Sequence, residues 1–430
     1  MVKNHKPQVQ REASTERRRN KTTDEHSKPI KLEFNLKGRN MPKKFNLFAF
    51  CFLHFALILS AWANIPTDWY YGRIRDFTSA HSLGLAGIST IIPSPSGMFI
   101  NPALIGLIKR PSFELAADLN WTSEKRTKEL YDQFENTIGE ISVADNMFTN
   151  SKIGPIAITY PMSAFGGARV CFGLGYAPVI DYNYYFTKEL RDDFYQLIGD
   201  YEIKATGQTQ SINFATGVNL NKLLSVGAGF FYSWGNHLLT QDTRPDVDSF
   251  NVKTLNFNFG IIPSLGERFK LGFDFQNRWK MHWNYSPLQV YPPIIVYYWT
   301  NSVGFGASYN FPGDIPTVAL TELRYIYWQN SDYPDYWSNI LNIRVGIEHI
   351  MFNGVALRYG FGVIPSSIKL TQPSVLVSLG IGFDVESIRF DIGGNVQRRT
   401  LTPENFYQPI DEERVYQTFG DVVLSVSKSF

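Results

Sequence analysis

From residue 415 to residue 430 the side chains alternate in character. Phe430, Lys428, Val426, Leu424 and Val422 share one parity, while Ser429, Ser427, Ser425, Val423 and Asp421 share the other. Period-2 alternation of this kind marks a β-strand with one apolar and one polar face. An edge strand of a soluble sandwich carries it, and so does the closing strand of a barrel. The rest of the chain decides between them.

Aromatic residues make up 15% of the 430 positions, with 33 Gly and 23 Tyr, a composition suited to strands and interfaces rather than to a helical enzyme. Only 19% of residues are charged, yet no run of about 18 apolar residues follows position 63, so no membrane-crossing helix is expected beyond it. Without such helices a chain spans a bilayer only as a closed barrel. The formal charge of +2 conceals an asymmetry. Removing the 13 basic and 5 acidic residues before position 64 from the totals of 41 and 39 leaves 28 against 34, a net −6. Such a chain offers no basic face to a nucleic acid. Cys51 and Cys171 are the two cysteines, too few for a disulfide framework.

Residues 1–40 are polar, basic (Arg17, Arg18, Arg19, Lys21) and aperiodic, as expected of a disordered tail or of an extension upstream of the true start. Met41 then opens a secretory leader over 41–63. Lys43 and Lys44 precede an apolar run from Phe45 to Leu59, and small residues at Ala61 and Ala63 fit signal peptidase. The processed protein is expected to be exported and to begin at Asn64. Residues 64–111 are unlike strands. They run through Ser82-Leu83-Gly84-Leu85-Ala86-Gly87-Ile88, a Pro93–Gly97 turn cluster, and Met98-Phe99-Ile100-Asn101-Pro102-Ala103-Leu104. The small residues permit close backbone approach, and Pro and Gly force turns.

From residue 112 onward fourteen strand candidates follow: 112–121, 155–163, 168–178, 207–220, 222–235, 250–263, 267–281, 296–310, 315–329, 337–350, 353–365, 372–385, 386–397 and 415–430. Connections after even-numbered candidates are tight. Those after odd-numbered ones are mostly long, notably 122–154, 179–206, 236–249, 282–295 and 398–414. Short turns at one end and long loops at the other belong to an outer-membrane barrel, and they place both termini at the periplasmic side. The predicted fold class is therefore all-β, a transmembrane antiparallel barrel of about 14 strands over 112–430. Its faces agree. Val377, Leu379, Ile381 and Phe383 oppose Ser378, Gly380 and Asp384; Leu357 and Tyr359 oppose Arg358; Ile343 and Val345 oppose Arg344, with Glu348 further along; Ile388 and Phe390 oppose Arg389 and Asp391. A charge facing lipid at mid-bilayer costs about 2–4 kcal/mol, so Arg344, Glu348, Arg358, Asp384, Arg389 and Asp391 are assigned to the lumen. They either pair with one another to stiffen the barrel or face a substrate.

The stretch Ser82–Gly87, the turn after it and Asn101-Pro102-Ala103 resemble the start of FadL-type outer-membrane transporters for long-chain fatty acids and other hydrophobic compounds. Residues 324–328 and 343–362 are similar to the late strands of that family. A strand ending on an aromatic residue likewise resembles the closing strands of bacterial outer-membrane barrels. The resemblance implies that residues 64–111 fold inside the barrel as a plug, with Gly84, Gly87, Gly97, Asn101, Pro102 and Ala103 forming the gate. It implies passive transport of a fatty-acid-like compound, contact with outer-membrane lipid, no cofactor, and a monomer in the bacterial outer membrane. Phe430 would then be the residue read by the barrel-assembly machinery. A structural barrel serving a secretion or assembly machine is the other function this build admits.

No catalytic constellation stands against this. His5, His26 and His54 precede the expected mature start, and His81, His237, His282 and His349 lack Cys, His or Asp neighbours at metal spacing. No Gly-x-Ser-x-Gly elbow and no phosphate-binding Gly-rich loop occurs. No enzyme and no metal site is expected. The aromatic clusters Tyr182, Tyr184, Tyr185 and Phe186, then Trp279, Trp283 and Tyr285, then Tyr291, Tyr297, Tyr298 and Trp299 flank outer strand ends. They fit either an interfacial girdle or an oily landing site above the lumen.

Overall fold

The computed structural model describes residues 72–430 except 76–77, 165–166, 192–195, 222, 242–243, 278–279, 285–293, 299–300, 329–337, 352–353, 366–372 and 402–412. The upstream extension, the leader and its cleavage residues Ala61 and Ala63 lie outside the described residues.

Fourteen antiparallel strands close into a barrel. They are β1 (Ser112–Tyr131), β2 (Thr137–Ser163), β3 (Arg169–Asp181), β4 (Leu197–Asn221), β5 (Leu224–Gln241), β6 (Arg244–Leu265) and β7 (Phe269–Gln276), followed by β8 (Ser302–Phe311), β9 (Thr317–Ile326), β10 (Ile340–Ile350), β11 (Ala356–Ile364), β12 (Ser374–Val385), β13 (Ile388–Leu401) and β14 (Glu413–Ser429). Each strand pairs with its neighbours in sequence, and β14 pairs along its whole length with β1, from Ser429 opposite Ser112 to Glu413 opposite Lys128. Each expected strand falls on one of these fourteen.

The faces sort as membrane burial demands. Leu379, Val377, Ile343, Leu341, Tyr359, Ile392 and Leu424 point outward and are exposed, whereas Ser378, Arg358, Arg344, Asp391 and Asp421 point inward and are buried. An apolar exterior around a polar interior is the build of an outer-membrane barrel, where hydrocarbon replaces water as the outer solvent. Among the described residues no helix is long and apolar enough to cross a membrane.

The long connections differ from the expectation. Residues 122–131 and 137–154 are strand, joined by the turn at 132–136, and residues 236–241 and 244–249 are strand as well. Residues 179–206 continue β3, include a short strand Tyr184–Arg191, and begin β4, against which that short strand pairs. Hydrophobic alternation marks only the part of a strand between lipid and lumen, and a ladder standing in water on both sides has no need of it. Side chains hold these upper ladders together: Thr127 Oγ1 donates to Glu140 at 2.8 Å, and Arg414 meets Glu129 at 2.7 Å.

Residues 78–108 lie within the barrel. They comprise a single helical turn α1 (Ala80–Leu83) and two 3₁₀ turns, Pro95–Phe99 and Pro102–Leu107, and they are almost wholly buried. Glycines on the surrounding strands admit them. Gly380 stands against Gly84, Gly346 against Leu85, Gly306 against Thr90 and Ile91, Gly260 against Asn101, and Gly227 against Pro102. A segment that touches inward faces of β6, β8, β10 and β12 at one level fills the lumen. Here backbone meets backbone because a side chain on the wall would occupy the segment's own space.

Candidate functional site

The inner segment is held by caps of its own and by charges on the wall. Ser79 caps α1 by accepting from Ser82 N at 3.2 Å, and Ser94 caps the first 3₁₀ turn by accepting from Gly97 N at 3.0 Å. A Cβ on Gly97 would stand 2.8 Å from Leu104 Cδ1, so a larger residue there would push the Leu104 side chain aside. Asn101 joins two turns: its Oδ1 accepts from Ala103 N at 3.1 Å, and its Nδ2 donates to Thr90 O at 2.8 Å. Pro102 follows at the first position of the second 3₁₀ turn, where its missing N–H costs nothing. Ala103 O accepts from Ser225 of β5 at 2.7 Å.

Gly87, at φ 80°, reverses the chain after α1, and its carbonyl accepts from Arg344 at 3.1 Å. The next two residues meet Glu322 on β9. One of its carboxylate oxygens accepts from both Ser89 N and Thr90 N at 2.8 Å, while the other faces Arg344 at 3.1 Å and Arg324 at 3.4 Å. Arg324 continues to Asp274 at 2.9 Å, and Thr90 Oγ1 donates to the same Asp274 at 2.7 Å. Two acids and two arginines thus grip one turn, and each compensates the burial of another. A second group lies beside α1. Arg358 bridges Glu348 at 2.6 Å and Asp391 at 2.7 Å, and His81 Nε2 lies 3.0 Å from Glu348. Arg389 reaches Asp391 at 3.1 Å and Asp384 at 3.4 Å nearer the rim, where Arg389 is half-buried and Asp384 exposed.

The structure thus brings Arg344, Gly87, Asn101, Pro102 and Ala103 into one assembly and groups Glu348, Arg358, Asp391, Arg389 and Asp384 in another; Gly84 packs on Gly380 between them. Sequence reasoning passed over Glu322, Arg324 and Asp274. The alternation Glu322-Leu323-Arg324-Tyr325 carries the same parity signal as the charges it did select.

Among the described residues the wall is interrupted between β2 and β3. β2 and β3 pair from Ser163 opposite Arg169 only as far as Ile156 opposite Tyr176. Beyond that level β2 follows β1 alone. Pro155 has no N–H to give the ladder, Gly154 sits at φ 122°, and the register of β1 shifts between Leu115 and Ala117. The free edge of β3 is taken instead by the short strand Arg73–Ile74, with Arg73 opposite Asp181 and Ile74 opposite Ile180. Arg75 N adds a bond to Val179 O at 2.9 Å.

Charges secure this strand from the lumen side. Arg73 meets Asp421 at 2.6 Å, Arg75 faces Asp118 at 3.4 Å, and Lys152 of β2 pairs with Asp181 of β3 across the opening. The cavity left here, lined by Arg73, Arg75, Asp118, Lys152 and Asp181, holds about 20 Å³, the room of roughly one water.

Above the opening lies a buried aromatic cluster. Tyr182, Tyr184 and Phe186 turn inward and join Ile203, Leu239, Trp328 and Ile340. Tyr182 stacks on His237 with centroids 4.6 Å apart, the Arg126 guanidinium lies 3.5 Å over the Phe186 ring, and Tyr184 Oη donates to Glu124 at 3.0 Å. Only Tyr185 of this group faces outward, so the other three do not belong to an interfacial girdle. The side chains of Trp279, Trp283, Tyr285, Tyr291, Tyr297, Tyr298 and Trp299 lie outside the described residues. Among the described residues no group of His, Cys, Asp and Glu is placed to hold a metal.

No protein-family model and no curated protein matches the chain. Solved structures do. A Pseudomonas aeruginosa FadL homologue superposes with a TM-score of 0.60 at 15% identity over 84% of this chain and 100% of its own. The Ralstonia pickettii toluene transporter TbuX gives 0.55 at 14%, over 83% and 99%. The P. putida toluene transporter TodX gives 0.56 at 13%, over 83% and 99%. In strand number, order and closure the chain has the fold of the FadL-type outer-membrane barrels.

Proposed function

We propose that this barrel conducts a hydrophobic compound passively across the outer membrane. Residues 78–108 act as a plug, and the interruption between β2 and β3 is the way out. That interruption is the observation that carries the reading. A barrel needed only as a scaffold gains by completing its ladder, because each unpaired backbone group in hydrocarbon costs several kcal/mol, of order 2–7. This wall instead ends its ladder at Pro155 and fills the opening with a detachable two-residue strand.

An apolar compound settles on the aromatic cluster around Tyr182 and Phe186. It moves down to the strand Arg73–Ile74 and leaves sideways into lipid once that strand shifts. The plug blocks the straight route, so ions and water do not follow. The described state is closed, since the cavity at the opening has room for about one water. The chemistry favours an apolar cargo, of which a fatty acid is one case and a hydrocarbon another; the similar toluene transporters fit either. Outer-membrane lipid is then both surroundings and acceptor, the assembly machinery inserts the barrel through β14, and one copy suffices because the route runs within one chain.

The test is a tether. With cysteines in place of Ile74 and Ile180, which are register partners, oxidation locks the strand on β3. Uptake of a hydrophobic tracer should cease on oxidation and return on reduction. Undiminished uptake by the oxidised form would reject the sideways route, and unchanged permeability after deleting residues 64–107 would favour the scaffold.

A further inference from the structure

The inward face of the barrel is not uniform. On β7 and β9–β13 it carries the charges that grip the plug. On β4–β6, at the level just above the plug glycines, it carries only uncharged groups. Strand register stacks them in layers: Ser211, Ser233 and Thr254 in one, Asn213, Phe231 and Asn256 in the next, Ala215, Gly229 and Asn258 in the third. Asn213, Asn256 and Asn258 are each 1% exposed or less. Their amides are not used up. Asn258 Nδ2 donates to Met98 O at 3.0 Å and Ile100 O at 3.2 Å, and Asn256 Oδ1 accepts from Thr254 at 3.3 Å. Among the described residues, both side-chain polar atoms of Asn213, the Asn256 nitrogen and the Asn258 oxygen meet no hydrogen-bond partner.

Apolar rings stand beside them. Phe231 sits between Asn213 and Asn256 in the same layer, and Phe99 of the plug packs on it with centroids 6.3 Å apart. Buried amide groups without partners are unfavourable, and a wall that needed only to hold Phe99 would use Leu or Val at these positions. Three such asparagines on neighbouring strands, beneath a removable part of the chain, form a site that is complete only when the plug has withdrawn.

We propose that this patch is a binding station for the neutral hydrogen-bonding group of an otherwise apolar cargo: an alcohol, a phenol or an amide. The proposal rests on the transport reading above and names its substrate class more narrowly. Each amide offers a donor and an acceptor, which suits a hydroxyl. No inward residue of these layers carries a charge, so a carboxylate would lie there desolvated and without a counter-ion. A pure hydrocarbon would leave the amides as unsatisfied as Phe99 does. Met98–Ile100 occupy the station in the closed state, and Asn258, which holds their carbonyls, passes from plug to cargo when they leave.

Equilibrium dialysis of the purified full chain against 4-ethylphenol, ethylbenzene and 4-ethylbenzoate tests this. The three probes share one body and differ in the head. Wild type should retain 4-ethylphenol about fivefold more strongly than ethylbenzene, as one or two neutral hydrogen bonds allow, and 4-ethylbenzoate least. Asn213→Leu combined with Asn256→Leu should level the phenol with the hydrocarbon and leave barrel melting unchanged or higher. Phe99→Ala, which removes the ring packed on Phe231 and leaves the amides unaltered, should raise retention of the phenol more than that of ethylbenzene, and it decides the matter should the double variant fail to fold. Equal retention of phenol and hydrocarbon by wild type, or a preference surviving in the double variant, would overturn the station while leaving transport intact. Retention of neither probe would overturn both.

Discussion

Asn101 shows what a single side chain contributes to this molecule. Its amide closes the turn into Pro102–Leu107 and ties that turn to Thr90, which Glu322, Asp274 and Arg324 hold from the wall. Asn101→Ala removes a cap worth about 1 kcal/mol together with the bond to Thr90. Both losses fall on the plug, since neither bond joins two wall strands. The expected outcome is a raised or erratic ion leak in planar bilayers with barrel melting close to wild type. A leak indistinguishable from wild type would show that the plug is seated by its glycine contacts alone. At this scale the sequence was legible in part. Alternation located Arg344, Arg358 and Asp391 on the inward face, and Asn-Pro-Ala drew attention to the right turn. The partners were not legible, because contacts such as Thr90 with Asp274 and Arg324 join residues 184 and 234 positions apart, and only register across several strands brings them together.

Among the elements, residues 78–108 and the wall glycines fit one another. Gly260 lies where a side chain would fall on the Asn101 amide. Gly260→Val, otherwise well suited to a strand, should therefore fold as a barrel and displace the plug. The checks are a heat-modifiable band of normal intensity on gels together with ion leak above wild type. A tight barrel with unchanged conductance would mean that the segment shifts along the lumen to make room. The number of strands, the tight turns and the apolar faces could all be read from period-2 alternation. The upper halves of β1 and β2 could not, since residues such as Glu124, Lys125 and Arg126 show no hydrophobic alternation. The interruption at Pro155 was hidden for another reason. A proline at the start of a predicted strand looks ordinary, and only the pairing pattern reveals that β3 has parted from β2.

At the scale of the whole molecule, closure depends on β14, and Phe430 follows it, exposed, with its N–H bonded to Pro111 O at 2.9 Å. If Phe430 serves assembly rather than the finished wall, deleting it should lower the yield of folded barrel in the outer membrane, read from the heat-modifiable band, and leave the melting of what does fold unchanged. Equal yield would remove Phe430 from assembly. The strands are also very unequal. β2, β4 and β6 run 27, 25 and 22 residues, whereas β7 and β11 run 8 and 9. About 10 residues suffice to cross the bilayer at a tilt, so the β1–β2 hairpin stands roughly 25 Å clear of the lipid. Phe134 at its tip is exposed. To an antibody or a phage approaching from outside, this hairpin is one of the surfaces the protein offers, beside the long strands β4 and β6. A cysteine at Phe134 should react with a bulky maleimide on intact cells, and one at Gly313 in the opposite, short turn should react only after the cells are broken.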